Sequence, residues 1–416
     1  MEIWSLFSGA MGLDLGLEAA GLRPTLAVEL DKWACRTIRH NRPDLDLIEG
    51  DVKQLSGDDL RRKRNYFGQV FLMTGGPPCQ SFSSGGKRAA LSDSRGNLIY
   101  EYLRLISEVR PTYFIFENVA NLITASLRHR QIKDRPGQNW NLNHYASNNG
   151  YSSDGLEPLD ADEMSGSAIR QILTDVQQLG YHVVFGILDA ADYGSAQHRL
   201  RFVMLGASNG HRLQLPQATH GAASRRGRFR TVRDAIEDLR DNPGPHSTYT
   251  PEMARFFRHV PEGGNWRALP KDLQAAALGG AYTSGGGKTG FFRRLSWDLP
   301  APTITGRANR KASAICHPEF TRPLSVWECA RIQGFPDEWH FAGAASQQYL
   351  QIGNAVPTEL GQAIASSIID SAQQVATIDS VKQPDYDQML AQAVKRLRNS
   401  ARNKRSSVAV AQPKLF

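Results

Sequence analysis

From Met1 to Ala120 the chain alternates short apolar runs with amphipathic stretches, the pattern of a parallel sheet flanked by helices. The runs predict strands at Ile3 to Phe7, Thr25 to Glu29, Leu47 to Glu49, Val70 to Met73 and Tyr113 to Phe116. Between them, helical periodicity over Met11 to Ala20 stops at Gly21, over Lys32 to Asn41 stops before Pro43, and over Leu98 to Val109 stops before Pro111. Arg128 to Gly166 is polar and rich in Asn, Ser, Asp and Gly, which predicts a long surface excursion. A helix at Ala168 to Leu179 and strands at Val183 to Leu188 and Leu200 to Leu205 then resume the alternation. The expected fold is a doubly wound α/β domain with a mostly parallel, Rossmann-like sheet.

After Gly206 the pattern gives way to Gly, Arg and Pro with little periodicity, and it returns at Leu324 to Phe335 and Gln351 to Ala372. We therefore expect a catalytic and cofactor-binding domain over 1–206 and a smaller irregular domain over 207–340. A segment over 341–380 would return to the first domain, and a basic tail, helical or disordered, would occupy 381–416.

Charge changes this picture by its distribution. From Lys382 onward eight basic residues face two acidic ones, so most of the net charge of +8 sits in the tail. Arg212, Arg225, Arg226, Arg228, Arg230 and Arg233 form a second concentration, with no acidic residue between Ala207 and Arg233. Either run could be plain solvated surface or a contact to a polyanion. No apolar run approaches the roughly 20 residues that span a bilayer, and the N-terminus carries Glu2 where a signal peptide would place lysines. A cytoplasmic protein without a membrane partner is expected. The four cysteines Cys35, Cys79, Cys316 and Cys329 are too scattered for a metal knuckle and too few for a disulfide framework. No metal site is expected.

Candidate chemistry collects at predicted strand ends. The turn Phe7-Ser8-Gly9-Ala10-Met11-Gly12 follows the first strand and opens a helix, where glycine lets a ligand approach the backbone. Alone it is equally compatible with a tight turn that binds nothing. Glu29 and Asp51 close the next two strands, and their carboxylates suit a ribose and an adenine amine. An adenosine-containing cofactor follows, either a dinucleotide or S-adenosylmethionine. The fourth strand runs into Gly75-Gly76-Pro77-Pro78-Cys79-Gln80-Ser81-Phe82-Ser83, with two prolines fixing the backbone ahead of a cysteine. The fifth ends in Glu117-Asn118-Val119, which sets a carboxylate beside that thiol and points to nucleophilic catalysis with proton transfer. In Gln197-His198-Arg199-Leu200-Arg201 strand parity turns Gln197, Arg199 and Arg201 one way and His198 the other. Two guanidinium groups on one face suit an anion.

The order of FSGAMG, GGPPCQSFS, ENV, QHRLR, RPLSVWECARIQGFP and QIGNAVP resembles the DNA (cytosine-5)-methyltransferase family, of the bacterial restriction-modification type, from Leu6 to Pro357. Met11 departs from it, since many members carry glycine there. The resemblance implies S-adenosylmethionine as the cofactor, with its methionine part against Phe7, Gly9 and Gly12, its ribose at Glu29, its adenine on Leu30 and its adenine amine at Asp51. Pro78 would pin the adenine pocket and the nucleophile loop, and Asn354 and Val356 would complete the pocket. Cys79 is implied as the nucleophile at cytosine C6 and Glu117 as the group at N3 and N4. Arg199, supported by Arg201 and Gln197, is implied as the clamp on O2.

The resemblance also makes the irregular domain a target-recognition domain, with Arg225, Arg226, Arg228, Arg230 and Lys288 as candidate DNA contacts. The implied protein is a monomer that acts on double-stranded DNA beside a cognate restriction endonuclease. An RNA cytosine-5 methyltransferase and a catalytically silent DNA-binding relative are the competing expectations. A Rossmann dehydrogenase is disfavoured by the missing G-x-G-x-x-G spacing.

Overall fold

The computed structural model describes residues 1–78, 98–128, 130, 134, 157–208, 213–221, 224, 227–283, 290–307, 310–311, 313–373 and 384–410, the last ten of these as backbone. Apolar runs become strands and amphipathic stretches become helices in alternation: β1 (Ile3–Leu6), α1 (Gly12–Ala19), β2 (Leu26–Glu29), α2 (Lys32–Asn41), β3 (Asp46–Glu49), α3 (Gly57–Arg64), β4 (Leu72–Gly75), α4 (Leu98–Val109) and β5 (Tyr113–Val119). There follow α5 (Ser167–Gln178), β6 (His182–Asp189), β7 (Gln197–His198) and β8 (Leu200–Ala207). The main sheet has seven strands in the order β3-β2-β1-β4-β5-β8-β6. All its pairs are parallel except that β8 runs antiparallel between β5 and β6. A doubly wound, mostly parallel sheet is thus what the periodicity predicts. The reversal of β8 follows from the short β6–β8 connection, too short for a parallel crossover.

In the first half of the chain, α3 escapes the periodicity. Helix α3 reads GDDLRRKR, with Leu60 as its buried apolar residue. It is held by a capping box in which Ser56 and Asp59 satisfy each other's backbone N–H groups.

The second half contributes α6 (Val232–Ile236), α7 (Pro251–Phe257), α8 (Lys271–Leu278), β9 (Arg293–Arg294), β10 (Ala301–Pro302), β11 (Ile315–Cys316), α9 (Val326–Ile332), α10 (Ala345–Asn354), α11 (Thr358–Gln373) and α12 (Tyr386–Val410). Phe256, Phe257, Trp266, Phe292 and Cys316 form a hydrophobic cluster of their own in this half. A second cluster joins it to the first domain, packing Met11, Leu15 and Ile38 against Leu324, Val326, Phe335 and Ile352. Helix α11 crosses α1 at contact distance: a Cβ on Gly16 would lie 2.6 Å from Gly361 Cα. That approach explains small residues in two otherwise ordinary helices. Among the described residues no helix is long and apolar enough to cross a membrane.

Candidate active site

Both sets of candidate residues stand at the C-terminal edge of the parallel strands. In the turn after β1, Phe7, Gly9 and Met11 all adopt left-handed backbone, with φ of 56°, 54° and 66°. Met11 thus stands in a conformation glycine prefers, and its fully buried side chain in the joining cluster compensates. Gly9 N–H donates to Glu29 Oε2 at 2.7 Å, while Leu30 and Asp31 N–H donate to Oε1 at 2.8 and 2.7 Å. Three of the four acceptor positions on this carboxylate are occupied, which leaves one on Oε2 for a ligand hydroxyl. Burial raises the Glu29 pKa and these bonds act against that.

A Cβ on Gly9 would meet nothing within 4 Å, so open space lies over the turn. Leu30 is 65% exposed beside it, a large apolar face left uncovered. Asp51 caps the short turn Val52–Gln54 by accepting from Lys53 N–H at 3.0 Å. These residues fit an adenosine-bearing ligand. Gly12 answers to something else: a Cβ there would lie 2.4 Å from the Val356 carbonyl oxygen, so its missing side chain admits the segment after α10. Val356 is buried in the core beneath that contact, whereas Asn354 is exposed.

The second group gathers where β4 and β5 end. Gly75 lies under the Tyr102 ring, where a Cβ would come within 2.5 Å, and a Cβ on Gly76 would press on Glu117 Oε2 at 3.0 Å. Both glycines therefore clear space for larger groups. Asn118 Nδ2–H donates to Pro77 O at 3.1 Å, tying the two strand ends together ahead of exposed Pro78. Cys79 lies outside the described residues, as do Arg225, Arg226 and Lys288. The described thiols of Cys35, Cys316 and Cys329 are all buried, and burial pushes their pKa values up, Cys35 to about 12 and Cys316 to about 11. None of the three is presented as a nucleophile.

Glu117 is buried, and Arg201 Nε lies 2.7 Å from its Oε1. Burial raises the Glu117 pKa, and Arg201 and then Arg199 work against that rise. Parity along one strand would have put Arg199 beside Arg201, but the strand breaks at Arg199. Its backbone N–H donates to Asp189 Oδ1 at 2.8 Å, and its side chain turns inward. There the guanidinium donates to Ile304 O at 2.8 Å and Gly353 O at 2.7 Å, with Nε unpartnered. Burial and the Arg201 charge both lower the Arg199 pKa, and the Glu117 carboxylate works against them.

Gln197 is equally internal, donating to Gln333 Oε1 at 2.6 Å and Ile332 O at 3.1 Å. Gln333 in turn donates to Ile352 O at 2.5 Å. Gln197, Arg199 and Gln333 thus bolt the returning segment to the catalytic edge, and Arg201 alone of the QHRLR side chains reaches Glu117. His198 faces the other way and pairs with Asp189 at 2.9 Å.

The chain matches the family of C-5 cytosine-specific DNA methylases over residues 1–134 and 161–370. It belongs to that family, and it is a DNA (cytosine-5)-methyltransferase. Among curated methylases it is 38% identical to Type II methyltransferase M.Eco47II of Escherichia coli, over 88% of this chain and 78% of that one. It is 35% identical to Type II methyltransferase M.Sau96I of Staphylococcus aureus, over 90% and 76%. A crystal structure of a DNA modification methyltransferase encoded within an E. coli prophage superposes with a TM-score of 0.61 at 20% identity, covering 90% of this chain and all of that one. Spodoptera frugiperda DNMT2 superposes with a TM-score of 0.53 at 15% identity, covering 88% and 99%. Both show the fold.

Gln333, Asp189 and the Ile304 carbonyl escape a reading by motifs. Asp189 carried a signal, an acid at a strand end like Glu29 and Glu117. Gln333 lies inside a block that stands out for its family pattern, and nothing local marks it as a hub.

In the second half of the chain, Arg228 is exposed and forms a bidentate pair with Asp234 at 2.6 and 3.0 Å. Arg230 reaches Glu359 at 3.3 Å. Both candidate DNA contacts that are described therefore have acidic partners.

Proposed function

We propose that the enzyme transfers a methyl group from S-adenosylmethionine to C5 of a cytosine within a specific double-stranded DNA sequence, through a covalent Cys79–C6 adduct on a flipped-out base. The observation that carries this reading is the buried Glu117–Arg201 pair beside Gly76-Pro77-Pro78. Cytosine C5 is too electron-poor to attack a methyl donor unaided. A Cys79 thiolate adding at C6 pushes electrons into the ring, and the charge developing at N3 calls for a proton donor. A carboxyl held toward its protonated form by burial supplies one, and once C5 carries the methyl group, loss of the C5 proton to a base breaks the C6–sulfur bond and returns the Cys79 thiolate. In this reading Arg201 takes the contact to O2, and Arg199 and Gln197 act as positioning residues that hold the wall of the pocket.

The cofactor, when bound, would supply an electrophilic sulfonium methyl. Gly9, Glu29, Leu30 and Asp51 would hold it, with Phe7, Pro78 and Asn354 along the rim. Gly12 and Val356 contribute by letting the returning segment close behind the turn. Extrusion of the base costs a few kcal/mol of unstacking. Contacts to the DNA backbone from the arginine-rich stretch, including Arg225, Arg226, Arg228 and Arg230, and from the Gly-rich stretch at Lys288 would offset it. By analogy with the Type II enzymes, the modification protects DNA from a cognate endonuclease, and the enzyme works as a cytoplasmic monomer.

Labelled methyl incorporation into duplex DNA and into transfer RNA, followed by bisulfite sequencing of plasmid from expressing cells, tests this. C5 methylation at one short duplex sequence is expected. Incorporation confined to RNA would overturn the substrate, and no incorporation into either would leave a silent binder.

A further inference from the structure

The family match ends at residue 370, yet a helix of 25 residues follows at Tyr386–Val410. Its sequence has two halves. From Tyr386 to Leu397 apolar residues recur at Tyr386, Met389, Leu390, Ala393, Val394 and Leu397, the spacing of one helix face. Leu390 and Ala393 are buried in the main core cluster, and the others pack partly buried around them. The continuation of that face falls on Ser400, Ala401, Lys404 and Arg405, so the apolar stripe stops. Lys395, Arg396, Arg398, Arg402, Lys404 and Arg405 then supply six cations within eleven residues, with no acid among them.

The docking contacts also fix the direction of the helix. Tyr386 packs near Phe185 of β6 with ring centroids 6.2 Å apart and the rings tilted by 31°, and Asp387 pairs with Arg170 of α5 at 2.6 Å. Ten residues on, Arg396 pairs with Asp192, just past the C-terminal end of β6. Helix α12 therefore runs along β6 toward the same sheet edge that carries Glu117 and Arg201. The residues beyond Arg396 extend it by roughly 20 Å at 1.5 Å per residue. Lys395 and Arg398 are exposed and make no ion pair among the described residues.

We infer that α12 is a sequence-independent DNA-binding arm, docked by its first half on β6 and presenting its cationic second half to duplex phosphates beside the catalytic edge. This rests on duplex DNA being the substrate. Such an arm would raise affinity for all duplexes equally, since phosphate contacts carry no base information. Its cations would release counterions on binding.

The test compares the full chain, a chain ending at Ser400, and the double variant Lys395→Gln/Arg398→Gln, each checked for an unchanged melting temperature. Anisotropy binding to a random-sequence duplex is followed through a salt titration. The slope of log affinity against log salt should become shallower by about 0.9 for each phosphate that is no longer neutralised, roughly 2 to 4 for the shortened chain and 1 to 2 for the double variant. Turnover at saturating DNA should not change. Equal slopes in all three proteins would overturn the inference, as would unchanged slopes with lost retention on anionic phosphatidylserine vesicles. A full chain that methylates no duplex, yet loses slope on shortening, would leave the arm standing and remove the proposed reaction.

Discussion

The two arginines of the QHRLR block should separate cleanly by experiment. Arg199→Met deletes charge-assisted hydrogen bonds to Ile304 O and Gly353 O at 2.8 and 2.7 Å. Bonds to charged groups contribute roughly 1.5–3 kcal/mol each. Removing a buried guanidinium also relieves its desolvation cost, which offsets part of that loss. A net destabilisation of about 2–4 kcal/mol remains, and at roughly 2–4 °C per kcal/mol the melting temperature should fall by about 4–16 °C.

Arg201→Met should act differently. It leaves Glu117 without its ion-pair partner, but burial already favours the neutral carboxyl, which tolerates the loss. Stability should drop by about 1 kcal/mol or less, while turnover falls by about 10²–10³, the usual cost of one donor at a developing charge. Thermal denaturation and single-turnover methylation well below the melting point measure both quantities. An Arg199 variant with native melting and no turnover, together with an unstable but active Arg201 variant, would refute the division of roles.

Met11→Gly relaxes a left-handed residue, worth about 1 kcal/mol, but removes a fully buried side chain, which costs roughly 2–5 kcal/mol; a lower melting temperature is expected, and a higher one would show that strain dominates. Asp14 is buried with its pKa raised to about 7. The folded state therefore keeps a proton that the unfolded chain releases near pH 4, so this contribution to stability is full below about pH 4 and lost as pH rises to about 7, on the order of 4 kcal/mol in all. Asp14→Asn should flatten that decline in denaturant midpoints, and parallel curves for the two proteins would refute the burial effect. Gln333→Leu removes one hydrogen bond each from Gln197 Nε2 and the Ile352 carbonyl, which keep Ile332 O and Ala355 N–H as partners, so a loss of roughly 1–3 kcal/mol is expected in urea unfolding, and unchanged stability would show the hub to be dispensable.

Much of the fold was legible in the chain because its apolar runs are bounded by residues that stop helices. Helices α2 and α4 begin and end where periodicity and the following prolines place them. Three features were hidden for physical reasons. Helix α3 carries too little apolar surface for a periodic signal and is held by its cap. The antiparallel direction of β8 follows from the length of its connection to β6, which the apolar pattern of the strand itself does not encode. Parity grouped Arg199 with Arg201, but it applies to continuous strands, and the backbone turns at Arg199 to meet Asp189. The docked half of α12 did carry a visible stripe at Tyr386, Leu390 and Ala393, which the surrounding charge obscured.

The chemistry turns on which atom forms the bond to the pyrimidine. Duplex DNA carrying 5-fluorocytosine at the methylated position, incubated with enzyme and S-adenosylmethionine, should give a denaturant-stable complex whose proteolysed peptide carries the nucleotide on Cys79, and Cys79→Ser should give none. A modified peptide containing any other residue, or C5 methylation by the serine variant, would contradict that assignment.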